Sequence, residues 1–278
     1  MCSVTFWPRR GGYRLAMNRD ELLTRATGIP SARFVVGGRA VLHPGEPGGG
    51  TWVSVNDAGV AFALINWYAV PLKASPPTVS RGGVVASLSG CSQPGEMEAR
   101  LTGLELARMN PFRVMGFFPG RKQIFQWRWD CRVLSGEVHS WKPGQWLSSG
   151  HDEPGVQRTR GADFDRRRRD SDAGSIPWIR RLHASHDPGQ GPYSMCMHRS
   201  DAETVSYTEI EVDASTAVMR YHAGPPCQGL WVSEEGIPRT RVTRTDQGPS
   251  RGPLTVTASP PGYGGVKSPT DRGNYRTE

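Results

Sequence analysis

The chain has 278 residues, room for one large domain or two small ones, and its apolar share of 36% lies below the ~45–50% usual for packed domains. A formal net charge of +8 invites a nucleic-acid partner, yet the arginines are interspersed with acids apart from the run Arg166-Arg167-Arg168-Arg169, so nucleic acid ranks last among partners. No run of ~18 apolar residues could span a bilayer, no secretory signal opens the chain, and five cysteines without CxxC spacing suit free thiols in a reducing, cytoplasmic setting.

The opening predicts a hairpin: residues 3–7 (SVTFW) are β-branched and aromatic, 13–17 (YRLAM) return, and Pro8-Arg9-Arg10-Gly11-Gly12 is turn material. Pairing Trp7 with Tyr13 puts Phe6 opposite Arg14, Val4 opposite Ala16 and Cys2 opposite Asn18. A slip of one residue would change which side chains share a face. A second hairpin joins 51–55 (TWVSV) to 60–65 (VAFALI) through Asn56-Asp57-Ala58-Gly59, which supplies local side-chain bonding and a positive-φ glycine. The unbroken apolar return strand predicts burial on both faces, and Gly48-Gly49-Gly50 before it allows a close backbone approach.

Helical patterns follow at 81–91 and 95–109, read as covering helices. Residues 112–119 and 123–129 form the next strand pair, and 146–150 (WLSSG) end an irregular stretch. Residues 162–183 suit a charged amphipathic helix that Pro177 should interrupt. Three strands are expected at 193–198, 204–212 and 217–222. From 236 to 278 Pro, Gly, Thr, Ser and Arg dominate, which predicts a 1–235 domain followed by a disordered 236–278 tail. Strands, then helices, then strands again fit an α+β protein of two antiparallel sheets covered by helices.

Cys2 is the strongest candidate for chemistry. Removal of Met1 from a Met-Cys start exposes a thiol and an α-amine of pKa ~7.7–8.0 on one residue, so nucleophile and base coincide. The hairpin brings Asn18-Arg19-Asp20-Glu21 beside it: Arg19 could favour the thiolate and Asp20 could hold the amine. The same tetrapeptide also reads as a polar strand end with an ordinary Arg19–Asp20 salt bridge. Asn66 closes the buried strand, where its amide could donate to a developing oxyanion or simply cap the following loop. His43, His151, His183, His186, His198 and His222 show no ligand spacing, and neither a metal nor a cofactor is expected. Cys91, Cys131 and Cys196 read as small packing residues.

The segments MCSVTF, GYRLAMNRDE, GGTWVSVNDAGVAFALIN, SSG and YSMCMHRSDAETVSYTEIEV together resemble the NRDE family, also called the transport and Golgi organisation family. The resemblance spans 1–227 and is densest in its first third. It implies the N-terminal-nucleophile (Ntn) hydrolase fold, a four-layer αββα sandwich, as in bile-salt hydrolases and penicillin V acylases. By that similarity Cys2 is the nucleophile, Arg19 tunes its thiolate, Asp20 anchors the amine and Asn66 serves the oxyanion. Ser149 stands in for a second asparagine that has no counterpart, and Arg199 for a late arginine. Asn18, Trp67 and Ser149 are the expected binding residues. The implied activity is cleavage of an amide, or a thioester, of a small molecule. The alternative is a non-catalytic binding or trafficking protein for haem or a lipid-like ligand, although no CxxCH or Cys-Pro signature favours haem.

Overall fold

A computed structural model describes residues 2–229, 233–240 and 255–257. The first sheet contains β1 (Cys2–Arg9), β2 (Gly12–Leu22), β10 (Gly144–Ser148), β11 (Ala202–Val212), β12 (Thr216–Ala223) and β13 (Ser233–Pro238), ordered β10-β1-β2-β11-β12-β13. The second contains β3 (Ile29–Val36), β4 (Arg39–Gly45), β5 (Val53–Asn56), β6 (Ala61–Asn66), β7 (Phe112–Phe118), β8 (Gln123–Trp129), β9 (Val133–Ser140) and β14 (Thr255–Thr257), ordered β14-β9-β8-β7-β6-β5-β4-β3. Every named pairing is antiparallel.

The inward faces of the two sheets share one core, in which Val4, Phe6, Leu15 and Met17 meet Val53, Ala63, Met115 and Phe117. The outer face of the second sheet packs Phe62, Leu64 and Val114 against α1 (Gly82–Leu88) and α2 (Pro94–Thr102). The outer face of the first packs Ala16 and Tyr207 against Phe164 of α3 (Glu153–Arg167) and Trp178, Ile179 and Leu182 of α4 (Ile176–His183). The expected helix–sheet–sheet–helix order is therefore the one the chain adopts.

Strand β6 alternates Ala61, Ala63 and Ile65 into the inter-sheet core with Phe62 and Leu64 toward the helices, which accounts for its unbroken apolar run. Its hairpin turn is built by Asn56. The side-chain oxygen accepts from Ala58 N and Val60 N, both at 3.1 Å, and the amide donates to Ser89 O and Cys91 O at 2.9 and 2.8 Å. Gly50 (φ +96°) lies so close to Gly82 that an added Cβ would sit 2.9 Å from its carbonyl carbon.

Several expectations need correction. The first hairpin turns on Arg10-Gly11 alone, with Gly11 at φ +81°, so Arg9 pairs with Gly12 and Trp7 with Arg14. This one-residue slip places Arg19, rather than Asn18, opposite Cys2. The 162–183 helix is two helices, because Pro177 sits in the first turn of α4, where its missing N–H costs nothing. Asp152 and Ser175 cap α3 and α4 through Gly155 N (3.0 Å) and Trp178 N (3.1 Å). The 95–109 pattern breaks at Gly103 into α2 and a 3-10 turn over Leu106–Arg108.

Residues 193–198 form a loop instead of a strand. Cys196 N and His198 N donate to Ser185 O and Gly191 O, and Met197 N to Thr204 Oγ1, so pairing is confined to an isolated His198–Glu203 bridge. Strands β3, β4, β9 and β10 were absent from the expected elements. The domain continues past 235: Ile237 is buried in the inter-sheet core, Arg239 N donates to Ser215 O (2.7 Å) and Thr240 N to Asp57 O (2.8 Å). The predicted disorder at 241–254 and 258–278 lies outside the described residues, while 255–257 pair with β9.

Candidate active site

Cys2 begins β1, the strand held between β10 and β2. Its pairing partners are Ser148 on one side and Arg19 on the other, and opposed residues of an antiparallel pair present their side chains to the same face. Cys2 is 8% exposed and belongs to the inter-sheet core. Its backbone N–H donates to Ser148 Oγ at 3.0 Å. The Arg19 guanidinium stacks 4.4 Å over the Trp52 ring and binds Glu46 Oε2 through Nη2 at 3.1 Å, with Glu21 at 3.6 Å. Arg25 shares both carboxylates, at 3.0 Å from Glu46 and 3.3 Å from Glu21. Among the described residues, the buried Arg19 Nη1 and Trp52 Nε1 donors find no hydrogen-bond partner.

Burial pushes the Cys2 thiol above its ordinary range, against the lowering pull first of the chain's α-ammonium and then of Arg19; Asp20 and Glu21 add to the rise. The Arg19 guanidinium that exerts this pull is itself paired with Glu46 at 3.1 Å. A second guanidinium, Arg81 at the start of α1, interacts electrostatically with Tyr68, Cys2 and Glu21 while donating to Pro111 O at 3.1 Å. The sequence offered no pattern that marked it.

The even-numbered residues of β2 face the helices. Asn18 donates to His183 O (3.0 Å) and Met195 O (2.9 Å), so the structure does not bring it to Cys2 as a binding residue. Asp20 accepts from Thr204 Oγ1 at 2.7 Å and pairs with Arg160 Nη1 at 3.4 Å. Arg160 also donates to Ser3 Oγ and Pro192 O. His183, fully buried, lies 3.0 Å from Asn18 Oδ1 and 2.9 Å from Thr5 Oγ1. Because an amide oxygen only accepts, His183 Nδ1 carries the proton and Nε2 accepts from Thr5.

Burial, reinforced by the positive charge of Arg160, holds the His183 pKa down to about 3. Unfolded, the ring gains its proton near ~6.5. Its contribution to stability is therefore complete above ~6.5 and is lost as pH falls from there toward 3, at ~1.4 kcal/mol per pH unit. Urea midpoints measured from pH 7 to pH 5 should fall, and His183→Gln should flatten that slope. An identical slope in the variant would contradict the assignment.

Beyond β6, Asn66 donates to Tyr68 Oη at 2.8 Å, and half-buried Trp67 donates its N–H to Pro111 O at 3.2 Å. Buried Glu153, the first residue of α3, gathers this loop. It accepts from Tyr68 N (3.0 Å), Ala69 N (3.2 Å) and the Ser149 backbone, and pairs with Arg113 at 2.8 Å. Burial nonetheless pushes the Glu153 carboxyl up. Arg113 also donates to Leu147 O, and Ser149 Oγ accepts from His151 N at 3.1 Å. One carboxylate thus fixes both the 67–69 loop and the end of β10 that carries Ser148. Arg199 pairs with Asp201 at 2.8 Å in the turn before β11. A cavity of about 440 Å³ lined by Arg113, Gln145, Trp146, Phe164 and Arg168 lies elsewhere and contains none of Cys2, Arg19, Asn66 or Ser148.

The segment carrying Cys2, Arg19, Asp20 and Asn66 is the part of the chain that matches a known family. Residues 1–124 match the family Transport and Golgi organisation 2. The Transport and Golgi organisation 2 match takes in β1 through β7, α1 and α2, and stops before Ser148 and Glu153. No curated protein matches the chain. Similar solved structures include a mutant conjugated bile acid hydrolase from Clostridium perfringens, 11% identical with a TM-score of 0.42, covering 87% of this chain and 97% of that one. Penicillin V acylase from Agrobacterium tumefaciens is 9% identical with a TM-score of 0.44, covering 80% of this chain and 83% of that one.

Proposed function

We propose that this protein is an N-terminal-nucleophile cysteine hydrolase acting on an amide, or a thioester, of a small molecule. The observation that carries the reading is the pairing of Cys2 with Arg19 on the inter-sheet face while Ser148 Oγ lies 3.0 Å from the Cys2 nitrogen. Removal of Met1 would turn that nitrogen into an amine already positioned by a hydroxyl. It would also give the Cys2 thiol, which burial otherwise keeps protonated, a base on its own residue.

In the proposed cycle the α-amine takes the thiol proton and the sulfur attacks the carbonyl carbon. The oxyanion is met by Asn66 Nδ2, which must leave Tyr68 Oη to do so. Collapse breaks the C–N bond, the α-ammonium returns its proton to the leaving amine, and a thioester on Cys2 remains. Water, deprotonated by the same amine, then releases the acid and restores the thiol. Arg19 Nη1 and Trp52 Nε1 are the donors left to orient an acceptor-bearing substrate.

The test is a screen of amides and thioesters with the Met1-free protein, quenched in acid and read by peptide mass spectrometry. A substrate-derived acyl mass on Cys2 that decays on standing supports the cycle. Turnover with label absent from Cys2, or located on another residue, refutes it.

A further inference from the structure

His186, Cys196, His198 and Cys227 are separated in sequence by ten, two and 29 residues, a spacing without a motif. Folding brings them together where the loop between α4 and β11 meets the 3-10 turn Pro226–Gln228. One ligand atom from each lies within 4.8 Å of every other. His198 Nε2 is 3.6 Å from Cys196 Sγ and 3.4 Å from Cys227 Sγ, and the two imidazole rings stand 5.2 Å apart at 75°.

Three features distinguish this cluster from ordinary packing. His186 Nε2 is buried without a hydrogen-bond partner among the described residues, a costly state for a ring nitrogen. Glu203 Oε2 lies 3.6 Å from His198 Nδ1, the carboxylate that commonly orients a metal-bound imidazole through its far nitrogen. Donors arranged tetrahedrally around zinc, at ~2.3 Å for sulfur and ~2.0–2.1 Å for nitrogen, sit roughly 3.3–3.8 Å apart. Both S···N separations above already fall in that range, and the remaining pairs, all within 4.8 Å, need to close by at most about 1.5 Å. A Cys196–Cys227 disulfide, by contrast, would leave both imidazoles unexplained.

We propose that His186, Cys196, His198 and Cys227 bind one zinc ion in a closed, structural site. Two thiolates balance the charge of a dication, and two borderline imidazoles complete the four-coordinate set that zinc favours. Binding releases the two thiol protons to solvent. The ion clamps the 185–199 loop to the turn that follows β12. Met197, between two of the ligands, donates its N–H at 2.9 Å to Thr204 Oγ1, which in turn donates to Asp20 at 2.7 Å. The clamp therefore braces the residue behind Cys2, and the inference stands whether or not Cys2 is catalytic.

The test uses the full chain, produced with zinc in the medium, dialysed, and analysed by elemental mass spectrometry. The expected content is about one zinc per chain, with a strong chelator lowering the melting temperature by several degrees. Cobalt(II) loaded in its place should give thiolate-to-metal charge-transfer absorption and intense visible bands. Cys227→Ser and His186→Ala should lower zinc content several-fold, while Cys91→Ser keeps it. Should a variant fail to fold, zinc release from the unaltered chain on mercurial titration of its thiols reads the same site. A content below about a tenth of an ion with no cobalt thiolate band, or a Cys196–Cys227 disulfide in protein purified under reducing conditions, would overturn the proposal.

Discussion

Replacing Cys2 by alanine is expected to lower hydrolysis of the true substrate by roughly 10⁴–10⁶-fold, the scale on which loss of a covalent nucleophile acts. The sulfur is both the attacking atom and the acyl carrier, and another residue could not substitute for it without a new geometry at the Cys2–Ser148–Arg19 junction. The fold should survive, because the change removes a single buried heavy atom from a residue 8% exposed, a cost of ~1 kcal/mol. Cys2→Ser keeps shape and amine but raises the pKa of the attacking group, so it should retain only a small fraction of the rate. Activity within about tenfold of the parent in Cys2→Ala, with circular dichroism unchanged, would eliminate covalent catalysis at this position.

Replacing Arg160 by methionine should cost ~3–5 kcal/mol of folding stability, measured by urea denaturation. The Arg160 and Asp20 side chains are both fully buried, and their pair at 3.4 Å is joined by Ser3 Oγ and the Pro192 carbonyl. Removing the cation takes the guanidinium from a buried carboxylate that keeps its Thr204 hydrogen bond. Removing both charges, as Arg160→Met with Asp20→Asn, should recover a large part of the loss, since contacting residues couple. The contrast is with Arg181–Asp172, closer at 2.7 Å but 54% and 43% exposed, where breaking the pair should cost under ~1 kcal/mol. A loss below ~1 kcal/mol for Arg160→Met would show that water reaches Asp20 and that the buried network does not secure β1.

The fold was legible where local chemistry dominates. Asn56 and Gly59 mark their own turn, and the apolar run of β6 marks a strand buried on both sides. The opening hairpin was legible as a hairpin but misread by one residue, because five turn-forming residues compete and only Gly11 sets the register. That single slip separates Asn18, which supports the helix layer, from Arg19, which faces Cys2. Strands β9 and β10 carry Gly, Ser, Glu and His among few apolar residues, so alternation gave no signal. Ser148, next to the expected Ser149, meets the Cys2 nitrogen only through the antiparallel pairing of β10 with β1. Arg81, Glu153 and Arg160 escaped notice because their significance lies in contacts up to 157 residues away along the chain, as for Arg160 with Ser3. The same is true of His186, Cys196, His198 and Cys227, whose spacing carries no pattern until the loop folds back.

The central claim is that Cys2 becomes an activated N-terminal nucleophile, and mass spectrometry of the purified chain after a brief iodoacetamide pulse tests it most directly. The account predicts loss of Met1 and alkylation of Cys2 well ahead of Cys91 and of the more exposed Cys131. Met1 retained throughout, or Cys131 labelled while Cys2 stays free, would contradict it.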